Sequence, residues 1–230
     1  TSGFKRDRAI FEDLLYQNVR QPGGQTGTNT QSPTGLMLGT GVRVVATEKQ
    51  HAQGNMVNTT NPLDLAIAGE GFFQVAQPDG TIGYTRDGNF KLSNTGQIVT
   101  ASGALLQPAI TIPTTASTVT FGRDGTVSIE LTAGGSQVIG QIQLARFVNP
   151  SGLESKGQNL LKETPASGAP QVLQPGTTGA GSLMQGTLEA SNVNVVEEMV
   201  NMIETQRAYE INSKAISAVD GMLKFINNNL

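Results

Sequence analysis

Read for the spacing of its apolar residues, the chain falls into two unlike parts. Along the last fifth, apolar side chains return every seven positions: Val195, Met202, Tyr209, Ile216, Leu223 and Leu230. Ala208, Ala215 and Met222 flank this row on one side, and Val219 and Ile226 on the other. Ile211, Ala218 and Phe225 add a second row. Two helical turns take about 7.2 residues, so positions seven apart stack on one side of an α-helix. Asn194 stands where a helix N-cap is needed, with Glu197 three residues on, as in a capping box. Glu197 and Glu198 suit the positive end of the helix dipole, and Lys224 the negative end. The spacing predicts one helix of roughly 33 residues, about 50 Å long.

That length carries information. Helices much beyond about 25 residues belong to coiled coils, membrane spans or repeats. Glu204, Arg207, Glu210, Lys214, Asp220 and Lys224 interrupt the segment and rule out a span. The apolar face is also wider than a single a/d seam. Two readings fit: a helix packed against helices of other chains, or a long core helix of this chain's own domain. The first is favoured, because nothing upstream offers a comparable partner helix.

Upstream the period changes from about 3.5 to 2. Leu63, Leu65 and Ile67 alternate with Asp64 and Ala66; Phe72–Val75, Ile82/Tyr84, Phe90/Leu92 and Ile98/Val99 follow. Turn signals separate them: Pro78-Asp79-Gly80, Asp87-Gly88 and Asn94-Thr95-Gly96. Further strands are expected at 42–45, 109–112, 118–121, 126–131 and 138–147. One strand every 8–10 residues or so is the rhythm of an antiparallel barrel or sandwich. Arg86-Asp87-Gly88 and Arg123-Asp124-Gly125 read as one turn used twice. Before this region, the pairs at 10/11 and 14/15 within residues 3–20 fit a short helical face. Residues 21–41, rich in Gly, Pro, Thr and Gln, read as an extended loop too long to be idle.

The chain thus divides into an extended connector over 1–62, a β-rich domain over 63–148, a Pro/Gly-rich return over 149–186 that completes the β region, and the helical 187–230. The fold class is α+β, mainly β: a barrel- or sandwich-like antiparallel domain plus a long coiled-coil-type helix.

Composition narrows the function. Charged residues make up 14% of the 230, and the net charge is −3. A charge-poor surface suits burial by neighbours, since charges are costly to desolvate. The acidic balance argues against a nucleic-acid partner. With no cysteine, disulfides and thiolate chemistry are excluded. The single histidine, His51, has no recognisable triad partners. Gly69-Glu70-Gly71 opens like a phosphate loop, but Gln74 stands where the third glycine belongs and a strand-like run follows. Asp79, Asp87 and Asp124 precede glycines and are explained as turn residues. No catalytic, cofactor, metal or small-molecule site is therefore expected. The chain opens on Thr1 instead of Met and reads as a fragment or processed product.

Three motifs resemble the axial rod and hook proteins of the bacterial flagellum. Thr1-Ser2-Gly3-Phe4-Lys5-Arg6 is similar to the end of that family's N-terminal signature. Asp64–Phe73 with Tyr84–Phe90 resembles its central β signature. Gly186–Asn194, with Met202-Ile203, Gln206–Glu210 and Met222-Leu223, resembles its C-terminal signature. The run from Tyr16 through Arg20 and Pro22 to Pro33 is similar to an insertion that marks distal rod subunits over hook subunits.

The resemblance implies a structural subunit, exported through the flagellar type III apparatus, that joins a straight helical tube in the basal body and passes torque to the hook. Its partners would be its own copies, proximal rod and hook-side axial proteins, and the surrounding envelope rings. Val195, Met202, Tyr209, Ile216 and Leu223, with Ala208, Ala215 and Met222, would pack between subunits. The 16–33 segment would act as a wedge. Family members carry a helix of a few dozen residues ahead of the N-terminal signature, and it would pair with the C-terminal helix. The rival readings are a proximal rod or hook subunit, and a secreted β-domain adhesin with a coiled-coil stalk.

Overall fold

The computed structural model describes residues 1–27, 30–31, 33–132 and 134–228, the side chains at 25–27, 30 and 228 excepted. The chain forms two compact units, Thr1–Asn192 and Val193–Leu230. The first is built of strands, every described pairing antiparallel, and the second of one helix, Val195–Asn228. The α+β, mainly β class is the one the periodicities predict.

The strand Phe72–Ala76 is the hub of the β unit. One of its edges pairs with Ile82–Thr85. Its other edge is shared end to end by Leu105–Gln107 and Leu144–Arg146. Successive side chains on a strand point to opposite faces, and here both faces are covered. Phe73 enters the main core with Leu65, Ile67, Phe90, Leu106, Ile129 and Leu144, meeting the Phe90 ring edge-on at 5.1 Å. Phe72 enters a second cluster with Tyr84, Ala145 and Phe147. Tyr84 stacks edge-on against Phe147 at 4.7 Å and reaches Glu163 Oε2 at 3.3 Å. Burial, reinforced by that carboxylate, pushes the Tyr84 hydroxyl up to about 12. A separate three-stranded sheet, Ala116–Phe121, Thr126–Leu131 and Ser136–Gln141, lays Val127 and Ile129 onto the main core.

The turns depart from the expected form. Gly80, Gly96, Gly103 and Gly125 each adopt positive φ and donate to the carbonyl three residues earlier. This is the three-residue hairpin loop, in which only the glycine needs the left-handed region. Asp79 and Asp124 hold it with their carboxylates, accepting from the Thr81 and Thr126 N–H at 2.9 and 3.1 Å. Arg86-Asp87-Gly88 is not a repeat of this turn. Gly88 is not left-handed; it lies flat against the Leu65 backbone, whose N–H donates to its carbonyl at 3.0 Å. The two-residue turn with both positions at positive φ occurs instead at Gln158-Asn159.

Other expectations change too. Residues 7–13 are a strand, not a helix: Asp7–Asp13 pairs with Val42–Lys49. The ladder has its extra residue, Val45, on the partner strand between the pairs Ile10–Ala46 and Phe11–Val44; Asp7–Asp13 is exposed throughout, so no buried face imposes apolar alternation at 10/11. The stretch 21–41 is not a plain loop; it carries on the same hairpin, as developed below. Residues 109–112 make one isolated bridge, Gln97–Thr111, although Ile110 and Ile112 are buried. The 138–147 strand breaks in two, Ser136–Gln141 and Leu144–Arg146, which belong to different sheets.

The contrast between two glycines is testable. A Cβ on Gly88 would stand 1.6 Å from the Leu65 carbonyl oxygen, whereas one on Gly80 meets nothing within 4 Å. Gly80→Ala should cost only the left-handed strain, about 1–2 kcal/mol. Gly88→Ala should cost more than about 3 kcal/mol, because backbone must move in a packed core. Urea unfolding of the two variants beside the parent checks the order.

Candidate assembly surfaces

The connector folds into a long two-stranded ribbon. Asp7–Asp13 pairs with Val42–Lys49, Gln17–Arg20 with Leu36–Leu38, and Gln25–Gly27 with Thr30–Gln31. Between the first two ladders Leu14 N donates to Gly41 O at 2.9 Å, and Thr40 Oγ1 to Leu15 O at 2.7 Å. Of the rod-type segment, Tyr16 packs its ring over Gly39, while Arg20 and Pro22 close on Gly35 across the ribbon. Pro33 is exposed at a bend. Residues 28, 29 and 32 of this segment lie outside the described residues.

Both faces of the ribbon are exposed over most of its length. Phe11, Leu15, Tyr16, Val19, Met37, Val42 and Val44 are each at least half exposed. An isolated two-stranded hairpin is marginal in water, and a row of exposed apolar side chains of this extent marks an interaction surface.

The helical unit presents a surface of the same kind. Asn194 caps it: its Oδ1 accepts from Val196 N at 3.1 Å and its carbonyl from Glu198 N at 3.0 Å. Val195, Met202, Tyr209, Ile216 and Leu223 are 58–76% exposed, and Met222 is 66% exposed. Ala208 and Ala215 are exposed between them. Leu230, the last of the heptad row, lies outside the described residues. Lys224 does not reach the last turn, which contains no basic residue, because the helix continues to Asn228.

A third feature was not anticipated. Lys5, Arg86 and Glu189 meet inside the β unit, each at most 7% exposed. Glu189 Oε1 accepts from the Lys5 ammonium and, at 2.9 Å, from Gly54 N–H; Oε2 accepts from Arg86 Nη1 at 3.4 Å. Lys5 also donates to Ala52 O at 2.8 Å, and Arg86 to the carbonyls of Ile67 and Gly69. Burial pulls both cations below their ordinary pKa values, with Glu189 acting against it. Beside the clasp, Gly3 (φ +66°) rests on the Arg86–Asp87 backbone, Gly3 N donates to Glu189 O, and Asn192 bonds Arg6 N, Gln50 O and Ala52 O.

Residues 66–129 match the model of the flagellar hook protein FlgE/F/G D1 domain, and residues 184–229 that of the flagellar basal body rod FlgEFG protein C-terminal region. The chain is 54% identical to the flagellar basal-body rod protein FlgG of Buchnera aphidicola from Acyrthosiphon pisum, covering 97% of this chain and 86% of that relative. In Caulobacter vibrioides, FlgG is 47% identical over 97% of the chain and 86% of the relative, whereas FlgF is 38% identical over 91% and 78%. The chain belongs to the FlgG family of flagellar basal-body rod proteins.

FlgG membership makes it a structural component of the flagellar rod, located in the basal body. The clasp now explains motif residues of this FlgG-family chain. Gly3 and Lys5 stand in the N-terminal signature, Arg86 in the central one and Glu189 in the C-terminal one, so the three signatures meet at one buried carboxylate. Local periodicity could not pair Lys5 with Glu189 across 184 positions. The motifs did not single these charges out either, since the central one also carries Asp64, Glu70 and Asp87.

Removing the carboxylate should expose the clasp's weight. Glu189→Gln leaves two buried cations without a counter-charge and should destabilise by about 3–5 kcal/mol; calorimetric or urea unfolding measures it. A second prediction concerns His51, which packs edge-on against Phe72 at 5.5 Å. No well-formed hydrogen bond reaches either ring nitrogen. Burial first, then the positive charges of Lys5, Arg86 and Lys49, lower its pKa to about 4, and only the Pro150 backbone opposes them. The unfolded ring takes a proton near pH 6.5 and the folded one does not. The contribution is therefore intact above about pH 6.5 and is lost as pH falls toward 4. Stability should drop by on the order of 1 kcal/mol between pH 6.5 and 5, allowing for solvent screening. The His51→Gln variant should lack that drop.

Proposed function

We propose that this chain is a distal rod subunit that polymerises head to tail into a straight, stiff helical tube carrying torque from motor to hook. The observation behind this reading is the pair of long apolar surfaces, helix and ribbon, that a single copy leaves in water. Such surfaces fit a heterologous, non-closing assembly, which covers the same two patches on every copy. In this reading the helix Val195–Asn228 belongs to the inner axial core, whereas Thr187–Glu189, expected with it, stays in the β unit, where it pairs with Met56–Asn58. Val195, Met202, Tyr209, Ile216 and Leu223, with Ala208, Ala215 and Met222, lie against helices of neighbouring copies. The 63–148 region lies outside the core, and the 149–186 return closes it.

The ribbon residues Tyr16, Arg20, Pro22 and Pro33 wedge between neighbours and limit bending. Proximal rod and hook-side axial proteins cap the two ends, and envelope ring proteins surround the tube. No catalytic step enters the proposal, since the work is mechanical.

Two variants separate the surfaces. Ile216→Glu puts a charge on the helix row while leaving the β unit untouched. Its melting temperature should match the parent's, and rods should be missing from basal bodies seen by electron microscopy. Shortening the ribbon between Pro22 and Pro33 should leave assembly intact but give curved rods. Rods as straight as the parent's would remove the wedge role, and normal rods from Ile216→Glu would remove the helix role.

A further inference from the structure

The buried clasp is not electrically balanced. Lys5 and Arg86 share the single carboxylate of Glu189. Lys49 stands beside them, 17% exposed, and pairs with Asp7, which is 54% exposed. Three cations thus face two carboxylates, one of them half in water. Glu70, which Arg86 also feels, is paired with Arg146 at 2.9 Å and does not change the balance. His51, edge-on to Phe72, lies near the same charges: burial first, and then Lys5 and Arg86, lower its pKa.

These cations line a cavity of about 260 Å³, whose walls include Phe4, Phe72 and Leu161. Lys49 Nζ lies 5.5 Å from the centre of the Phe4 ring, and Arg86 Cζ 5.4 Å from that of Phe72. An ammonium has three donors. Lys5 bonds Ala52 O and Glu189, which leaves one of its donors over; Lys49 reaches Lys5 O at 3.4 Å and both carboxylate oxygens of the half-exposed Asp7 at 2.9 and 3.1 Å, a pairing that solvent screens. The remaining Lys5 donor, a Lys49 ammonium whose carboxylate partner is half in water, and a buried guanidinium, between apolar walls, form a setting in which an oxyanion that displaces Asp7 gains charge-assisted bonds at low local dielectric.

We propose that this cavity is an oxyanion site: it takes one small carboxylate- or phosphate-type anion, held by Lys49 and Lys5, that neutralises the excess charge of the clasp. The anion has two possible sources, free inorganic anion or a glutamate side chain.

The test uses the 230-residue chain as a monomer. Its thermal unfolding is followed against phosphate, and separately against N-acetylglutamate α-amide as a stand-in for the side chain. Sodium chloride at matched ionic strength is the baseline, and Lys49→Gln is the variant. Lys49 is a rim residue whose partner is exposed, so the variant folds without stranding a buried charge. The melting temperature of the parent should rise saturably, as ln(1 + [L]/Kd), with a midpoint on the order of millimolar. In Lys49→Gln the midpoint should move about tenfold or more to higher concentration, as expected for one lost charge-assisted bond. A response to phosphate alone assigns free anions as the source. A response to the glutamate analogue assigns a side-chain carboxylate. No rise beyond the chloride baseline with either, or an equal rise in Lys49→Gln, overturns the site.

Discussion

The β unit hangs on a buried carboxylate. Strand ladders and apolar packing hold the sheets together locally. They do not say where the first residues of the chain and the return strand Thr187–Glu189 must meet. Glu189 says it, by being the acceptor that Lys5, Arg86 and the Gly54 N–H all require. Desolvating each of these ions costs several kcal/mol, so the arrangement contributes little net stability when complete. Its effect is on specificity. Any register that misplaces one member leaves another charged and unpaired in the core, and that state is excluded. Ala190 N to Asn55 O, Gly3 N to Glu189 O and the two bonds from Asn192 Nδ2 then tie down the same crossing point with neutral bonds.

This explains the sharp division of burial along the sequence. Where the clasp and the Phe72–Ala76 hub organise the chain, side chains such as Leu65, Phe73, Phe90 and Leu144 are fully covered. Beyond it, in the ribbon, the ladder persists but nothing else among the described residues of the β unit covers most of its length. The helix is in the same condition: well capped, long, and apolar on more than one side. A chain that covers the apolar residues of its sheet core and leaves those of ribbon and helix exposed suits the assembly proposed above, in which neighbours cover them. The low charge content follows from this, since a lysine or glutamate on those faces would have to be desolvated on assembly.

What the sequence disclosed, and what it did not, follows the range of the interactions. Features with a short physical cause were legible. The helix shows in a seven-residue recurrence, its cap in Asn194, and the strands 72–75, 82–84, 90–92, 98–99 and 126–131 in alternation bounded by turn residues. The errors lie where a distant partner decides. Residues 7–13 look helical in isolation and become a strand only because Val42–Lys49 lies alongside. Arg86-Asp87-Gly88 looks like Arg123-Asp124-Gly125, but Gly88 packs flat against the Leu65 backbone, whereas Gly125 takes positive φ and closes a hairpin. The clasp is the extreme case: three charges in three separate motifs, with nothing local to connect them.

The same logic bears on how stiffness arises. A hairpin of two strands alone resists bending poorly, and so does a lone helix; each has one layer and no second surface to shear against. Stiffness appears when a side chain such as Tyr16, Phe11 or Leu15 on one copy is seated in a packed site on another, because packed interiors are about as dense as organic crystals and deform little. The ribbon places these residues on a ladder whose far end is anchored at the clasp through Arg6 and Gln50, which bond Asn192 and each other's backbone. A force applied to the ribbon is therefore carried by strand hydrogen bonds into the most tightly specified part of the β unit. A flexible loop would dissipate that force, which is why it matters that Asp7–Asp13 pairs with Val42–Lys49 and Gln17–Arg20 with Leu36–Leu38.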